Sequence, residues 1–280
     1  MSQYELIAFD MDGTLLNSRK EITPLTLAAI KKAAAAGKQI VLSTGRGRTE
    51  LRAYLELMPE IRYLICTSGA LVYDIRTGQT VYSQKLAPAL VKRLLEISME
   101  EKAMIHLLGA ESIVQTDQLE HMERYGMGIY KTTFRRVAAA WDDLYGTYCA
   151  APFALEKVNF YHADSESRER TKKRIQEAGL PVLMVNAERG SLEISAPGAD
   201  KGAGLKKLCE YLGLPLEKTI AVGDAENDTS ILKTAGLAVA MGNALPEIQA
   251  LSEAVVADCD HDGCAEAIET YLLGGPKLYE

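Results

Sequence analysis

The chain has 280 residues, 48% of them hydrophobic, and a formal net charge of −7. That length suits one large or two modest domains, and the apolar content builds a core and argues against disorder. The acidic balance argues against a nucleic-acid partner, and no apolar run approaches the roughly 20 residues that cross a bilayer, so no membrane partner is expected. The first residues, Met1-Ser2-Gln3-Tyr4-Glu5, lack the basic start and apolar stretch of a secretion signal, so a cytoplasmic location is expected. Five cysteines, an odd number without a C-x-x-C pair, fit reduced structural thiols. The histidines His106, His121, His162 and His261 are scattered without ligand spacing, so no zinc site is expected.

In chain order, the apolar run Leu6-Ile7-Ala8-Phe9 predicts a buried strand. A helix is predicted over 24–36, with Thr23 as N-cap, Pro24 in its first turn and Gly37 closing it. Strands at 39–43 and 63–67 flank a helix over 48–57, and 71–82 reads as a hairpin turning at Thr77-Gly78. Strands alternating with helices predict a parallel sheet covered on both faces.

The middle reads differently. Helices are expected at 88–100 and 168–178, with short strands at 105–108, 112–116, 157–161, 182–186 and 192–194. This predicts an inserted α+β domain over 84–189, with junctions near Ser83-Gln84 and Ala187-Gly190. The catalytic core would be discontinuous, 1–83 and 190–280. Its second part resumes the alternation: a helix over 202–212, a strand over 219–222, a helix over 227–234, a strand over 236–241 and a last helix over 262–272.

Four signals carry chemistry. The first is Asp10-Met11-Asp12-Gly13-Thr14, two carboxylates at the end of the first strand. Ligands bind at that end of an open α/β sheet, and paired acids there call for a compensating cation. Asp-x-Asp-Gly also occurs in ordinary turns. It overlaps the start of a calcium loop as well, but Leu15-Leu16 is too apolar for one. The second signal is Ser43-Thr44-Gly45-Arg46, a hydroxyl and backbone N–H groups at a strand end that can cradle an oxyanion. The third is Lys201, opening a predicted helix, where a cation and a helix N-terminus can share a phosphate. The fourth is the acid-rich loop Gly223-Asp224-Ala225-Glu226-Asn227-Asp228, after the strand Ile220-Ala221-Val222. Taken singly, the last three are also ordinary loop or surface sequence.

In this order the four signals resemble the haloacid dehalogenase superfamily, and within it the Cof-type phosphatases (subfamily IIB) with a C2-type cap. The resemblance spans essentially the whole chain. It includes Met241-Gly242-Asn243-Ala244 and the Asp258-Cys259-Asp260-His261-Asp262-Gly263 stretch. Two departures are Ser68-Gly69-Ala70, where relatives usually carry Asn-Gly-Ala, and Cys264, where they often carry Val.

The resemblance implies an α/β, Rossmann-like parallel-sheet core with an inserted α+β cap that closes over the site and reads the leaving group. It implies a Mg²⁺-dependent phosphatase acting on small phosphorylated metabolites: sugar phosphates, pyridoxal phosphate or flavin mononucleotide. By motif, Asp10 is the nucleophile and Asp12 the general acid and base. Mg²⁺ falls to the Asp10 carboxylate, the Asp12 backbone carbonyl and Asp224. Phosphate contacts fall to Met11, Thr44, Gly45, Lys201 and Asn227, and Asp228 orients Lys201 or the metal's ligands. Arg46, Tyr125, Tyr130, His106 and Arg124 are candidate substrate contacts. Asp258, Asp260 and Asp262 read as an exposed loop, with Asp262 as N-cap of the last helix, rather than as a second metal site. The competing readings are a sugar phosphomutase and a non-catalytic sensor of a phosphorylated metabolite. The oligomeric state stands open between monomer and homodimer.

Overall fold

The computed structural model describes residues 2–187 and 190–276, so Glu188 and Arg189, at the second predicted junction, lie outside the described residues. The chain divides into two compact units. The first comprises Met1–Gly45, Arg52–Ser83 and Asp200–Glu280, and the second Arg46–Leu51 and Gln84–Ala199.

The first unit begins with β1 (Leu6–Phe9), whose four residues are all buried. Helix α1 (Pro24–Ala35) follows; the Thr23 side chain accepts from the Thr26 N–H at 3.2 Å and Pro24 opens the first turn, as the sequence predicts. Then come β2 (Gln39–Ser43), α2 (Arg52–Leu57), β3 (Tyr63–Cys66) and the hairpin β4 (Leu71–Asp74) and β5 (Gln79–Ser83).

The second unit carries α3 (Pro88–Glu100), β6 (Met104–Leu108), β7 (Ser112–Gln115), α4 (Thr116–Glu120), α5 (Lys131–Val137), β8 (Ala138–Trp141) and α6 (Leu144–Ala150). It ends with β9 (Lys157–Tyr161), α7 (Ser165–Glu177), β10 (Leu183–Asn186) and β11 (Ser191–Ser195). Its sheet runs β10-β11-β9-β6-β7-β8, antiparallel except for β7 with β8. One face buries Leu94, Ile105, Leu107, Tyr148, Val158, Phe160 and Ile194 in a common core. The other carries a smaller cluster around Met104, Val114, Met122 and Phe134.

The chain then returns through α8 (Lys201–Leu212), β12 (Thr219–Gly223), α9 (Thr229–Leu232), β13 (Leu237–Ala240), α10 (Pro246–Leu251), β14 (Ala254–Val255) and α11 (Gly263–Ala267). The first unit's sheet runs β14-β13-β12-β1-β2-β3-β4-β5. It is parallel from β14 to β3 and antiparallel at the hairpin. β1 therefore lies between β2 and β12, where the order reverses direction, and ligands bind outside the carboxyl ends at such a switch point.

Several expectations need correction. The second junction falls at Ala199/Asp200 rather than 189/190, because β11 pairs with β9 and β10. The predicted 48–57 helix begins as a tighter 3₁₀ turn, Arg48–Leu51, which groups with the second unit. The predicted 227–234 helix likewise opens as a 3₁₀ turn, Glu226–Asp228. The last helix starts at Gly263 and relaxes into a π-helical turn over Ile268–Leu272. Asp262 does not cap it through its side chain; it sits at φ 62° and accepts from the Thr23 hydroxyl. α4, α5, α6, α10, β8 and β14 had no counterpart in the sequence reading. β8 opens with Ala138-Ala139-Ala140, good helix-forming sequence, and only its pairing with β7 makes it a strand.

Candidate active site

The carboxyl ends of β1, β2 and β12 and the start of α8 supply the predicted residues. Asp10 continues the β1 ladder, donating its N–H to the Val222 carbonyl at 3.0 Å, and is 7% exposed. The chain then turns sharply: the Leu15 N–H reaches the Asp10 carbonyl at 3.3 Å and the Leu16 N–H the Met11 carbonyl at 2.8 Å. Gly13, at φ 84°, is needed here; a Cβ would stand 2.5 Å from Asp224 Oδ2. Thr14 is buried, and its hydroxyl donates to Asp224 Oδ1 at 2.7 Å.

Lys201 opens α8, whose N-cap Asp200 accepts from the Ala203 N–H at 2.8 Å. The lysine is buried, and its Nζ donates to Asp10 Oδ1 at 2.5 Å and Asp228 Oδ1 at 2.6 Å. The other Asp228 oxygen accepts the N–H groups of Asp224 and Ala225 at 3.0 and 3.1 Å. Both oxygens of Asp228 are thus engaged in holding Lys201 and the acidic loop. Among the described residues, Asp10, Asp224 and Asp228 form the group that could hold a metal ion, with oxygens all within 4.8 Å of one another.

Burial raises the Asp10 carboxyl well above its ordinary value, against the pull of Lys201. Burial also pushes Asp224 up to about 6, opposed by the Thr14 hydroxyl and reinforced by Asp228. Burial alone would depress Lys201, but Asp10 and Asp228 hold it above the usual lysine range. Three carboxylates face one ammonium, and an all-oxygen donor set short of positive charge fits a hard divalent cation.

Residues 7–268 match the haloacid dehalogenase-like hydrolases. The chain belongs to this family. Phosphatase YwpJ of Bacillus subtilis is 28% identical over 299 residues, covering 96% of this chain and 100% of that protein. An HMP-PP phosphatase of Yersinia pestis is 31% identical over 279 residues, covering 98% of this chain and 97% of that one. A solved haloacid dehalogenase-like hydrolase from B. subtilis superposes with a TM-score of 0.83 at 26% identity, over 94% of this chain and 98% of the other. The subclass IIB sugar phosphatase BT4131 shares the fold, with a TM-score of 0.82 at 21% identity over 96% of this chain and 99% of that one. With phosphatases matching it end to end, the chain is a phosphatase of this family.

The remaining predicted residues are distributed as follows. Thr44 is buried at the end of β2; its N–H donates to the Ile65 carbonyl at 2.8 Å and its carbonyl accepts the Ser68 N–H at 3.0 Å. Asn227 lies in the turn before α9, and its buried Oδ1 has no hydrogen-bond partner among the described residues. The Asp12 carboxylate lies outside the three-acid group and pairs with Lys20 Nζ at 2.8 Å. Lys20 was not singled out in the sequence because only a distance could select it. Asn243, in the Met241-Gly242-Asn243-Ala244 motif, donates to the Gly13 carbonyl at 2.8 Å and accepts the Cys259 N–H at 2.9 Å, tying two loops together. Cys264 is buried and reaches the Thr14 carbonyl at 3.3 Å, a weak donation that a valine could not make.

Among the candidate substrate contacts, Arg46 falls in the second unit's contact group and Arg124 is exposed. His106 is internal, between Tyr161 OH at 3.1 Å and Ser112 Oγ at 2.6 Å, and burial depresses it to about 3, so it stays neutral. Asp258 accepts from His261 Nδ1 at 2.7 Å, and Asp260 accepts from the Ser18 N–H and hydroxyl at 3.0 and 2.8 Å. No helix among the described residues is long and apolar enough to cross a membrane.

Proposed function

We propose that this phosphatase hydrolyses phosphate monoesters of small metabolites in two steps, through an aspartyl-phosphate on Asp10. The observation that carries the reading is the buried Asp10–Lys201–Asp228 arrangement, with Asp224 beside it, at the switch point of the sheet. Lys201 opposes the burial that raises the Asp10 carboxyl and fixes one of its oxygens, so that the carboxylate is presented to phosphorus. Asp10 attacks, the bond to the leaving oxygen breaks, and Asp12 gives that oxygen its proton. Asp12 then takes a proton from water, which attacks the aspartyl-phosphate and returns Asp10 and free phosphate. Such proton transfer contributes about 10² to 10⁴ in rate.

The phosphoryl oxygens fall to Lys201, Thr44, Asn227 and the backbone N–H groups of Met11 and Gly45. Mg²⁺ is the proposed cofactor, held by the carboxylates of Asp10 and Asp224 and the Asp12 carbonyl. When bound, it supplies the positive charge that lets a carboxylate approach an anionic phosphate. Asp228 serves by orienting Lys201 and the loop that carries Asp224. The proposed substrates are sugar phosphates, pyridoxal phosphate or flavin mononucleotide. One relative is named for HMP-PP and one structural neighbour is a sugar phosphatase, which supports a small phosphorylated metabolite of this size class.

The test is phosphate release from a panel of such metabolites, for wild type with Mg²⁺, wild type in EDTA, and Asp10→Asn. The expected result is release by wild type with Mg²⁺, loss in EDTA with recovery on added Mg²⁺, and a fall of about 10⁴-fold or more for Asp10→Asn. Most of the activity surviving in Asp10→Asn would remove the nucleophile, and full activity in EDTA would remove the metal. An isomerised product in place of free phosphate would make the enzyme a mutase.

A further inference from the structure

Lys20 stands on a backbone that a lysine does not favour. Its φ is 61°, the left-handed region where glycine is at ease and a Cβ is penalised. The turn that holds it there is closed by Asn17. The Asn17 side-chain oxygen accepts the N–H groups of Arg19 and Glu21, both at 3.0 Å, its own N–H donates to the Glu21 carbonyl at 3.0 Å, and its carbonyl accepts the Lys20 N–H at 2.9 Å. Asn17 is 6% exposed, so the turn is anchored to the body of the unit. From it the Lys20 ammonium reaches Asp12 Oδ1 at 2.8 Å.

Stability does not account for this pair. The two side chains are 39% and 32% exposed, and ion pairs that wet contribute little to folding. A glycine would also relieve the backbone. A side chain kept against the preference of its own backbone, with its ammonium on the Asp12 carboxylate, points to a constraint of function. Asp12 has a definite need for one. A proton donor must stand within hydrogen-bond reach of the leaving oxygen, and a contact that fixes the rotamer of a partly exposed aspartate raises the time it spends there.

We infer that Lys20 is a positioning residue that aims the Asp12 carboxylate at the leaving oxygen, so that it governs turnover of esters whose leaving group needs a proton. The inference rests on the role proposed above for Asp12. It places the effect of Lys20 on bond cleavage to the leaving group rather than on attack at phosphorus.

The experiment compares kcat/KM, which reports the step that expels the leaving group, for phenyl phosphate and p-nitrophenyl phosphate. The nitrophenolate departs readily without a proton; the phenolate profits from one. Wild type, Lys20→Gly, Lys20→Arg and Asp12→Asn are measured with Mg²⁺, with thermal melts as the control for folding. Lys20→Gly is expected to melt at or above the wild-type temperature and to lose about tenfold on phenyl phosphate but less than about twofold on p-nitrophenyl phosphate. Lys20→Arg is expected to recover most of the loss, and Asp12→Asn to show the same selectivity more strongly. Equal losses of Lys20→Gly on both esters, or none on either, with Asp12→Asn still selective, would overturn the role of Lys20 alone. An unselective Asp12→Asn would overturn the assignment of Asp12, and the inference with it.

Discussion

Lys201 and Lys157 are both buried, and each meets a carboxylate, at 2.5 and 2.6 Å, yet the two regions around them differ. In the second unit, Lys157 on β9 faces Glu193 on the neighbouring β11, across a sheet whose other face is apolar. In the first unit, Lys201 is shared by Asp10 and Asp228, and Asp224 completes a group of three acids. The Lys157–Glu193 contact is a buried ion pair between neighbouring strands. A buried lysine on a cluster of acids leaves negative charge unmatched, and a bound metal ion would match it. The surplus, not the burial, marks the functional region.

Removing each lysine tests this directly. Breaking a buried pair by deleting one partner costs about 3–5 kcal/mol, so Lys201→Met and Lys157→Met should both lower stability by about that amount in denaturant titrations. Only Lys201→Met should also abolish phosphate release, while Lys157→Met stays within about tenfold of wild type. Equal loss of activity in both would place the Lys157–Glu193 pair in the catalytic machinery and end the distinction.

The second test uses pH. Asp224 is raised by burial from its ordinary 3.8 to about 6 in the folded protein. The folded state then binds that proton more tightly than the unfolded chain, so ionising Asp224 subtracts stability as pH climbs through this window. Without metal, Asp224→Asn should therefore gain on wild type between about pH 4 and pH 7. Mg²⁺ should reverse the order near neutrality, because it binds the ionised wild-type site. Chemical denaturation at the two pH values, with and without Mg²⁺, measures both. A difference between variant and wild type that ignores pH and metal alike would contradict the surplus-charge account.

The smallest expected effect concerns the loop after β3. Thr67, Ser68 and Gly69 all have positive φ, at 48°, 57° and 93°. Gly69 is obligatory, since a Cβ would fall 1.9 Å from the Asp200 carbonyl just before Lys201. Asparagine tolerates the left-handed conformation of Ser68 better than serine does. Ser68→Asn should stabilise by about 0.5 kcal/mol, a rise in Tm of about 1–2 °C. A fall in Tm would mean that the serine side chain itself is needed there.

Much of this was legible in the chain. The alternation of strand and helix, the α1 cap at Thr23-Pro24 and the span of α3 follow from local pattern, and local pattern is what periodicity and capping report. The four chemical signals were legible too, because each sits where an apolar run stops or a helix starts. β8 was not, since its alanines take their conformation from β7, nor was the end of the second unit, which the pairing of β11 decides. The sequence by itself determined which residues stand at strand ends. Only the tertiary structure decided that β12 lies against β1, which brings Lys201 and Asp228, 191 and 218 positions after Asp10, into one charge cluster, and that Lys20 meets Asp12. Pattern along a chain reports the neighbourhood of a few residues, whereas burial of charge and its pairing depend on distances through space that no short stretch encodes.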